Sequence, residues 1–253
     1  MTFPLVLVHG WAGSAASWDP LIAQLDPALW NPIVAVQLPG SAGYSGTAPN
    51  TVSAAADEVA AIAARCEQPV VLLGHSMGAQ LTMLAHARQP DVVAAEIVID
   101  PAYGADDDER EGIAAWAQRI EELGHAELIS FFDSALQGLD DQTRVDALAD
   151  LYRTPISAIT EYLRSEYLDD DAVGLVSATR RTAARRTRPV LAVHSDARAA
   201  ALSRTLPAAP GSAVSEWPGF HHFLHLQDPA RFAGEVSTWF TTINEQGHLQ
   251  PAL

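Results

Sequence analysis

Lysine is missing from this chain altogether: its 253 residues carry fifteen basic side chains, and every one is arginine. That absence excludes a lysine Schiff base and a serine–lysine dyad. Cysteine occurs once, at Cys66, so no disulfide can close within the chain, which fits a reducing compartment. Long apolar runs are lacking too; the longest are strand-sized, well short of the roughly twenty residues of a membrane helix. Positive charge is scarce beside 31 acidic residues, and a net charge of −16 argues against nucleic acid or an anionic membrane as main partner. No basic region precedes the short apolar run "FPLVLV", which therefore reads as a first strand and not as a signal peptide. A cytoplasmic location is the resulting expectation.

What the sequence does contain is alternation. Strands are predicted at Phe3–Val8, Ile33–Gln37, Val70–Leu73, Glu96–Ile99, Val190–His194 and Ala213–Trp217. Between the second and third, residues 51–66 place Val52, Ala55, Val59, Ile62 and Cys66 at 3,4,3,4 spacing, one apolar face of a helix. Strand–helix alternation implies an α/β fold: a mostly parallel sheet of about six strands with helices on both faces. Ligands of such sheets bind beyond the carboxyl ends of the strands. A site is thus expected around His9-Gly10 and Gly74–Gly78, and after Asp100 and His194.

From about 104 to 187 the alternation stops and helical patterns take over. Ile113, Trp116, Ile120 and Leu123 share helical spacing, as do Leu128, Phe131, Phe132 and Leu136, and Ile156, Ile159, Tyr162 and Leu163. Acidic clusters at Asp106–Glu109 and Asp169–Asp171 suit helix N-termini and solvated turns. The expected organisation is a core formed by 1–103 and 188–253, with an inserted helical cap over 104–187.

The chemistry concentrates in "VVLLGHSMGAQL", residues 70–81. Gly74-His75-Ser76-Met77-Gly78 between a strand and a helix has the Gly-x-Ser-x-Gly form of a nucleophile elbow. The serine of such a turn sits on strained backbone, and glycine on either side removes the side chains that would collide there. The following helix, expected over Met77–Arg88 and stopped by Pro90, aims its N-terminal N–H groups at the site. A serine hydroxyl still needs a base, and the base needs an orienting acid.

Here the chain resembles the α/β-hydrolase superfamily over nearly its whole length. The resemblance is carried by His9-Gly10-Trp11, by Leu38-Pro39-Gly40, by the elbow and by "GFHHFLHLQDP" at 219–229. It implies Ser76 as nucleophile and His222 as base, with His225 at a position that is often a non-catalytic histidine and His221 where glycine is usual. The family order of Ser, then Asp or Glu, then His leaves two candidate acids. Asp196, after the strand 190–194, is the first choice; Asp100, after the preceding strand, is the rival. The oxyanion donors implied are the backbone N–H groups of Met77 and Trp11. One departure is Gln37 in place of the family's usual aspartate, in a loop "QLPGSAG" with one extra residue. His75 is expected to pack beside the serine and to border the substrate pocket. No cofactor and no metal are implied, since no second ligand cluster accompanies the histidines at 221–225.

The activity expected is hydrolysis of a carboxylic ester, lactone or thioester through an acyl-enzyme. Serine at position 76 speaks against dehalogenase and epoxide hydrolase chemistry, which use aspartate there. C–C bond hydrolases and hydroxynitrile lyases share the same constellation, and a non-enzymatic binding protein could retain the pocket. Trp116, Phe131, Phe132 and Tyr162 are candidates for an apolar pocket between cap and core, suited to a small-molecule substrate with an apolar part. The arginines at 180, 181, 185, 186 and 188 read as a solvated helix end, or as an anion patch for coenzyme A or an acidic carrier protein. Oligomeric state has no signature in the sequence.

Overall fold

The expected strands pair into one sheet in the computed structural model, which describes residues 2–46, 49–170 and 172–249. The chain opens with β1 (Phe3–Val8), α1 (Asp19–Ile22), β2 (Trp30–Val36), α2 (Val52–Ala63), β3 (Val70–His75), α3 (Met77–Arg88) and β4 (Val93–Ile99). Helices α4 (Arg110–Leu123), α5 (Ile129–Ala135), α6 (Asp141–Arg153), α7 (Ile156–Tyr167) and α8 (Val176–Ala183) follow. β5 (Val190–His194), α9 (Ala197–Ser203), β6 (Ala213–Glu216), α10 (Leu224–Gln227) and α11 (Pro229–Glu245) complete it. The strand order is β2-β1-β3-β4-β5-β6, with every neighbouring pair parallel.

Parallel strands need crossovers, and the crossovers cover both faces of the sheet. All six residues of β1 are buried for that reason. Leu5 and Leu7 pack with Trp18, Trp30, Phe232 and Phe240, while Val6 and Val8 face Val59 of α2 and Leu81 of α3. β2 begins three residues before its predicted start because it is an edge strand, where Pro32 is tolerated. α3 is buried along nearly its whole length, from Met77 to Ala87.

Between β4 and β5 the helical segment builds a cluster of its own from Ala117, Ile120, Phe132, Leu151, Ile159 and Leu163. It is pinned to the loops at the carboxyl ends of the strands. Trp11 Nε1 donates to the Ile159 carbonyl (3.0 Å), Ser14 Oγ to Asp150 Oδ2 (2.5 Å), and Tyr162 Oη to the Pro39 carbonyl (3.0 Å). The backbone N–H groups of Ala42 and Val52 donate to Thr154 Oγ1 (2.9 Å) and Ser165 Oγ (2.8 Å). α8, within the expected cap range of 104–187, packs against α3, with Ala183 in the cluster around α2 and α3. The overlying cluster draws on α4–α7. Asp171, last of the acidic run at 169–171, lies outside the described residues. No helix among the described residues is long and apolar enough to cross a membrane.

Candidate active site

Ser76 stands where β3 ends and α3 begins, with φ 54° and ψ −121°. Its N–H donates to the Ile99 carbonyl (3.0 Å), and its carbonyl accepts from Ala79 N (3.0 Å) and Ala102 N (3.1 Å). These bonds to β4 and its loop hold a backbone conformation that L side chains rarely adopt. The flanking glycines are obligatory in this packing. A Cβ on Gly74 would lie 2.5 Å from the Gly78 carbonyl oxygen, and one on Gly78 would lie 2.6 Å from the His9 carbonyl oxygen.

The carboxylate beside His222 is that of Asp100. His222 Nδ1 lies 3.6 Å from Asp100 Oδ2, and Asp100 Oδ1 accepts from Ser195 N at 2.7 Å. Ser195 Oγ donates to Asp100 Oδ2 as well. Burial works to raise the Asp100 carboxyl, but the His222 imidazole and the two Ser195 bonds outweigh it and hold it below the usual carboxylate range. The expectation that Asp196 would orient the histidine is not met. Asp196 is exposed and is the N-cap of α9, where its Oδ1 accepts from Ala199 N (2.8 Å). Its carboxylate is committed to a helix end, while Asp100, itself at φ 37°, turns inward under Ser195. Ser195 went unnoticed in the sequence; its only signal was its place immediately after β5.

The other histidines are structural in geometry. His9 is buried, its Nδ1–H donating to the Gly10 carbonyl (2.8 Å) while Nε2 accepts from Leu38 N (3.2 Å). Burial lowers its pKa to about 4, so the ring is a neutral brace between the loops after β1 and β2. Gln37 adds a second brace, accepting from Ala15 N (2.9 Å) and donating to the Ser41 carbonyl (3.1 Å). His75 Nε2 donates to the His222 carbonyl (2.9 Å), with ring centroids 4.7 Å apart. Burial, with the neighbouring His225 and His222 rings, keeps it neutral by lowering its pKa well below the ordinary value. His225 is buried against Trp18, and burial lowers its pKa to about 3. His221 is half-buried, with its backbone N–H on Gln227 Oε1 (3.1 Å). Among the described residues, His222 alone combines a carboxylate on one ring nitrogen with access to a cavity.

That cavity has a volume of about 850 Å³ and lies between the strand ends and the overlying helices. Ser76, His222, His75, Trp116, Phe131 and Phe132 all line it. Trp11 lines it too, with its ring against Trp116, Phe131 and Phe132 at centroid distances of 5.8–6.2 Å. Tyr162 does not. It is buried in the core cluster with its hydroxyl on Pro39, because the apolar face of α7 there turns to α2 and not to the cavity. Among the described residues, the charged side chains of the wall are mostly acidic, and its one arginine, Arg153, is paired with Asp150. Among the wall residues that carry no signal in the sequence are Asp150 on α6 and Glu166 near the end of α7.

The arginines at 180–188 lie elsewhere. They run up to the amino end of β5, whereas the cavity lies beyond the carboxyl ends of the strands, and none of them lines it. Arg186 is buried against Glu96 (3.3 Å), and Arg180 donates to the Thr205 hydroxyl (3.0 Å). A continuous anion patch at the mouth is therefore not formed. Among the described residues, no group of three His, Cys, Asp or Glu side chains is arranged to hold a metal ion.

Comparison with known proteins decides the family. The sequence model of the alpha/beta hydrolase family matches residues 5–235. The chain belongs to the alpha/beta hydrolase family. Among curated relatives, a pimeloyl-[acyl-carrier protein] methyl ester esterase of Neisseria meningitidis is 37% identical over 112 residues, 43% of this chain and 41% of the relative. A lipase of Mycobacterium tuberculosis is 35% identical over 106 residues, 40% of this chain and 38% of the relative. The matched stretch thus spans about two fifths of these relatives' length. A thermophilic esterase from Thermogutta terrifontis superimposes with a TM-score of 0.74 at 20% identity, covering 95% of this chain and 90% of that one. The likeness of that hydrolase is one of fold.

Proposed function

We propose that this hydrolase cleaves carboxylic esters of small molecules through an acyl-enzyme on Ser76. The observation that carries the reading is that Ser76, on its strained elbow, and His222, backed by Asp100 at 3.6 Å, face one cavity. The curated relatives named as esterases and lipase support it.

In the proposed reaction His222 keeps its Nδ1–H toward Asp100, which leaves Nε2 as the base. Ser76 Oγ attacks the ester carbonyl carbon as its proton passes to Nε2. The carbonyl π electrons move to oxygen, and the oxyanion is held by the N–H of Met77, at the positive end of α3, and the N–H of Trp11. Collapse expels the alcohol, which takes the proton from His222. Water then loses a proton to the same nitrogen, attacks the acyl carbon, and releases the acid while Ser76 recovers its proton. Asp100 stays ionised throughout and stabilises the imidazolium. Trp11, Trp116, Phe131 and Phe132 offer an apolar seat for the acyl or alcohol part. A cytoplasmic setting is part of the proposal and rests on the single cysteine, half-buried and free.

The acidic wall and the distant arginines weigh against an acidic carrier protein or coenzyme A as the leaving group. The test is labelling by a fluorophosphonate probe together with turnover of short-chain aryl esters. Both are expected in the native chain and neither in Ser76→Ala; labelling that persists in the variant would remove Ser76 from the mechanism.

A further inference from the structure

We propose that Glu166 sets substrate preference: its carboxyl donates a hydrogen bond to an uncharged acceptor that the ester carries beyond its scissile bond. The inference rests on the reading of Ser76 as nucleophile. Glu166 is only 3% exposed, yet it borders the cavity that holds Ser76 and His222. Its link to the nucleophile is short. Ala102 N donates to the Ser76 carbonyl (3.1 Å), and the Ala102 carbonyl accepts from Tyr167 Oη (2.9 Å) and from Gln80 Nε2. The same Gln80 Nε2 donates to Glu166 Oε2 at 3.0 Å. Glu166 therefore stands in the wall one residue away from the elbow's own hydrogen-bond chain.

The group is poorly satisfied as the protein stands. Among the described residues Glu166 Oε1 has no partner, no cation faces the carboxyl, and Gln80 Oε1 is buried without a hydrogen bond. An ionised carboxylate in such a place has nothing to balance it, and burial raises the Glu166 pKa well above the usual carboxylate range. With Oε2 accepting from Gln80, a neutral carboxyl carries its proton on Oε1, the oxygen without a partner. That makes a fixed O–H donor in a wall that also carries the apolar side chains of Trp11, Ile113, Trp116 and Leu163. The ligand chemistry follows. Anions are rejected by Asp19, Asp146 and Asp150 in the same wall, and a cation would need Glu166 to ionise in a buried setting. What remains is a neutral oxygen acceptor, such as a ketone, ether or amide carbonyl. A buried donor left empty by an all-carbon substrate penalises that substrate, which is how such groups confer selectivity.

The experiment compares aryl esters of equal chain length, each hydrocarbon acyl chain paired with analogues carrying a ketone or ether oxygen at successive positions. The native enzyme is expected to favour the oxygen-bearing member at one position by roughly tenfold in kcat/KM, mostly through KM. Glu166→Leu is expected to bring that ratio to about one, and Glu166→Gln, which keeps a donor, to retain most of it. An unchanged ratio in Glu166→Leu overturns the proposal, as does a native preference for an ammonium-bearing ester over its neutral match. If Glu166→Leu does not fold, the native ratios decide: no preference at any position overturns it. Fluorophosphonate labelling of the native enzyme is the separate control; its absence counts against the role of Ser76, not against Glu166.

Discussion

Strand β4 supports two carboxylate–histidine pairs four residues apart, and they are built to opposite ends. Glu96, inside the strand, meets His86 Nδ1 at 2.9 Å, with Thr82 Oγ1 at 2.9 Å and Arg186 at 3.3 Å. His86 Nε2 is occupied as well, accepting from the backbone N–H groups of Thr187 (3.2 Å) and Arg188 (3.0 Å). Burial works to raise the Glu96 carboxyl, but Arg186, His86 and Thr82 hold it below the usual range. Asp100, just past the strand, meets His222 at 3.6 Å, and that imidazole is 29% exposed to the cavity. The lesson is that a carboxylate beside a histidine is not in itself a catalytic pair. Saturating both ring nitrogens in a sealed core makes a brace, whereas a histidine beside a cavity keeps a nitrogen free for proton transfer.

Substitutions on either side of this contrast should separate the two roles. The largest effect is expected from Ser76→Ala, a loss of ester turnover of about 10⁴-fold or more with the fold intact by circular dichroism. Asp100→Asn should follow, lowering kcat by up to about 10⁴-fold through loss of the productive tautomer. Equal activity in Asp100→Asn and native enzyme would break the contrast outright. Glu96→Ala should invert the pattern, costing about 3–5 kcal/mol in urea unfolding by stranding Arg186, while the folded fraction keeps its kcat.

Acid should expose the braces before it exposes anything else. His9 and His225 have folded pKa values of about 4 and about 3, so between pH 6.5 and those values the unfolded chain binds more protons than the folded one. Their stabilisation is complete above about pH 6.5 and is lost as pH falls, followed below about pH 4 by that of Glu96 and Asp100. Glu166, raised by burial, works the other way as pH falls toward about 4.5. His75 and His194, lowered by burial, act with His9 and His225, so Tm should decline from about pH 6.5 downward; a flat profile to about pH 4.5 would contradict the neutral-brace reading. The smallest kinetic effect is expected from Asp196→Ala, about 1 kcal/mol of stability from the lost cap and no change in kcat/KM. A large kinetic loss there would restore Asp196 as the acid.

Much of this architecture was legible because buried parallel strands leave continuous apolar runs, and β1 and β5 are found at their predicted limits. β2 and β4 extend further toward their amino ends than the sequence predicts, because "WNP" and "VAA" lack a strand signature when taken alone. The helix α6 was passed over because its apolar stripe is thin; Asp150, which it buries, was missed with it. The elbow at Ser76 and the histidine turn holding His222 carry local signals. The aspartate that stands beside the histidine does not. β4 and β5 are neighbours in the sheet, so both loops reach the histidine, and the choice turns on which aspartate is already engaged. The clue was there in "SDARAAAL", where an aspartate heads a run of helix formers and so becomes a cap. Tyr162 lies away from the predicted pocket because periodicity finds a buried face without saying which neighbour buries it.

The bonds that fasten α6 and α7 to the loops after β1 and β2 bear on how a substrate gets in. Trp11–Ile159, Ser14–Asp150, Ala42–Thr154 and Tyr162–Pro39 tie the roof of the chamber to its floor at four separate points. A roof so fastened is held as one piece with the floor beneath it. Phe131, 45% exposed and still in contact with Trp11 and Trp116, borders both solvent and the chamber. Phe131→Ala is therefore expected to enlarge the chamber on its α5 side without disturbing Ser76, His222 or Asp100, which turnover of a graded series of ester sizes would check.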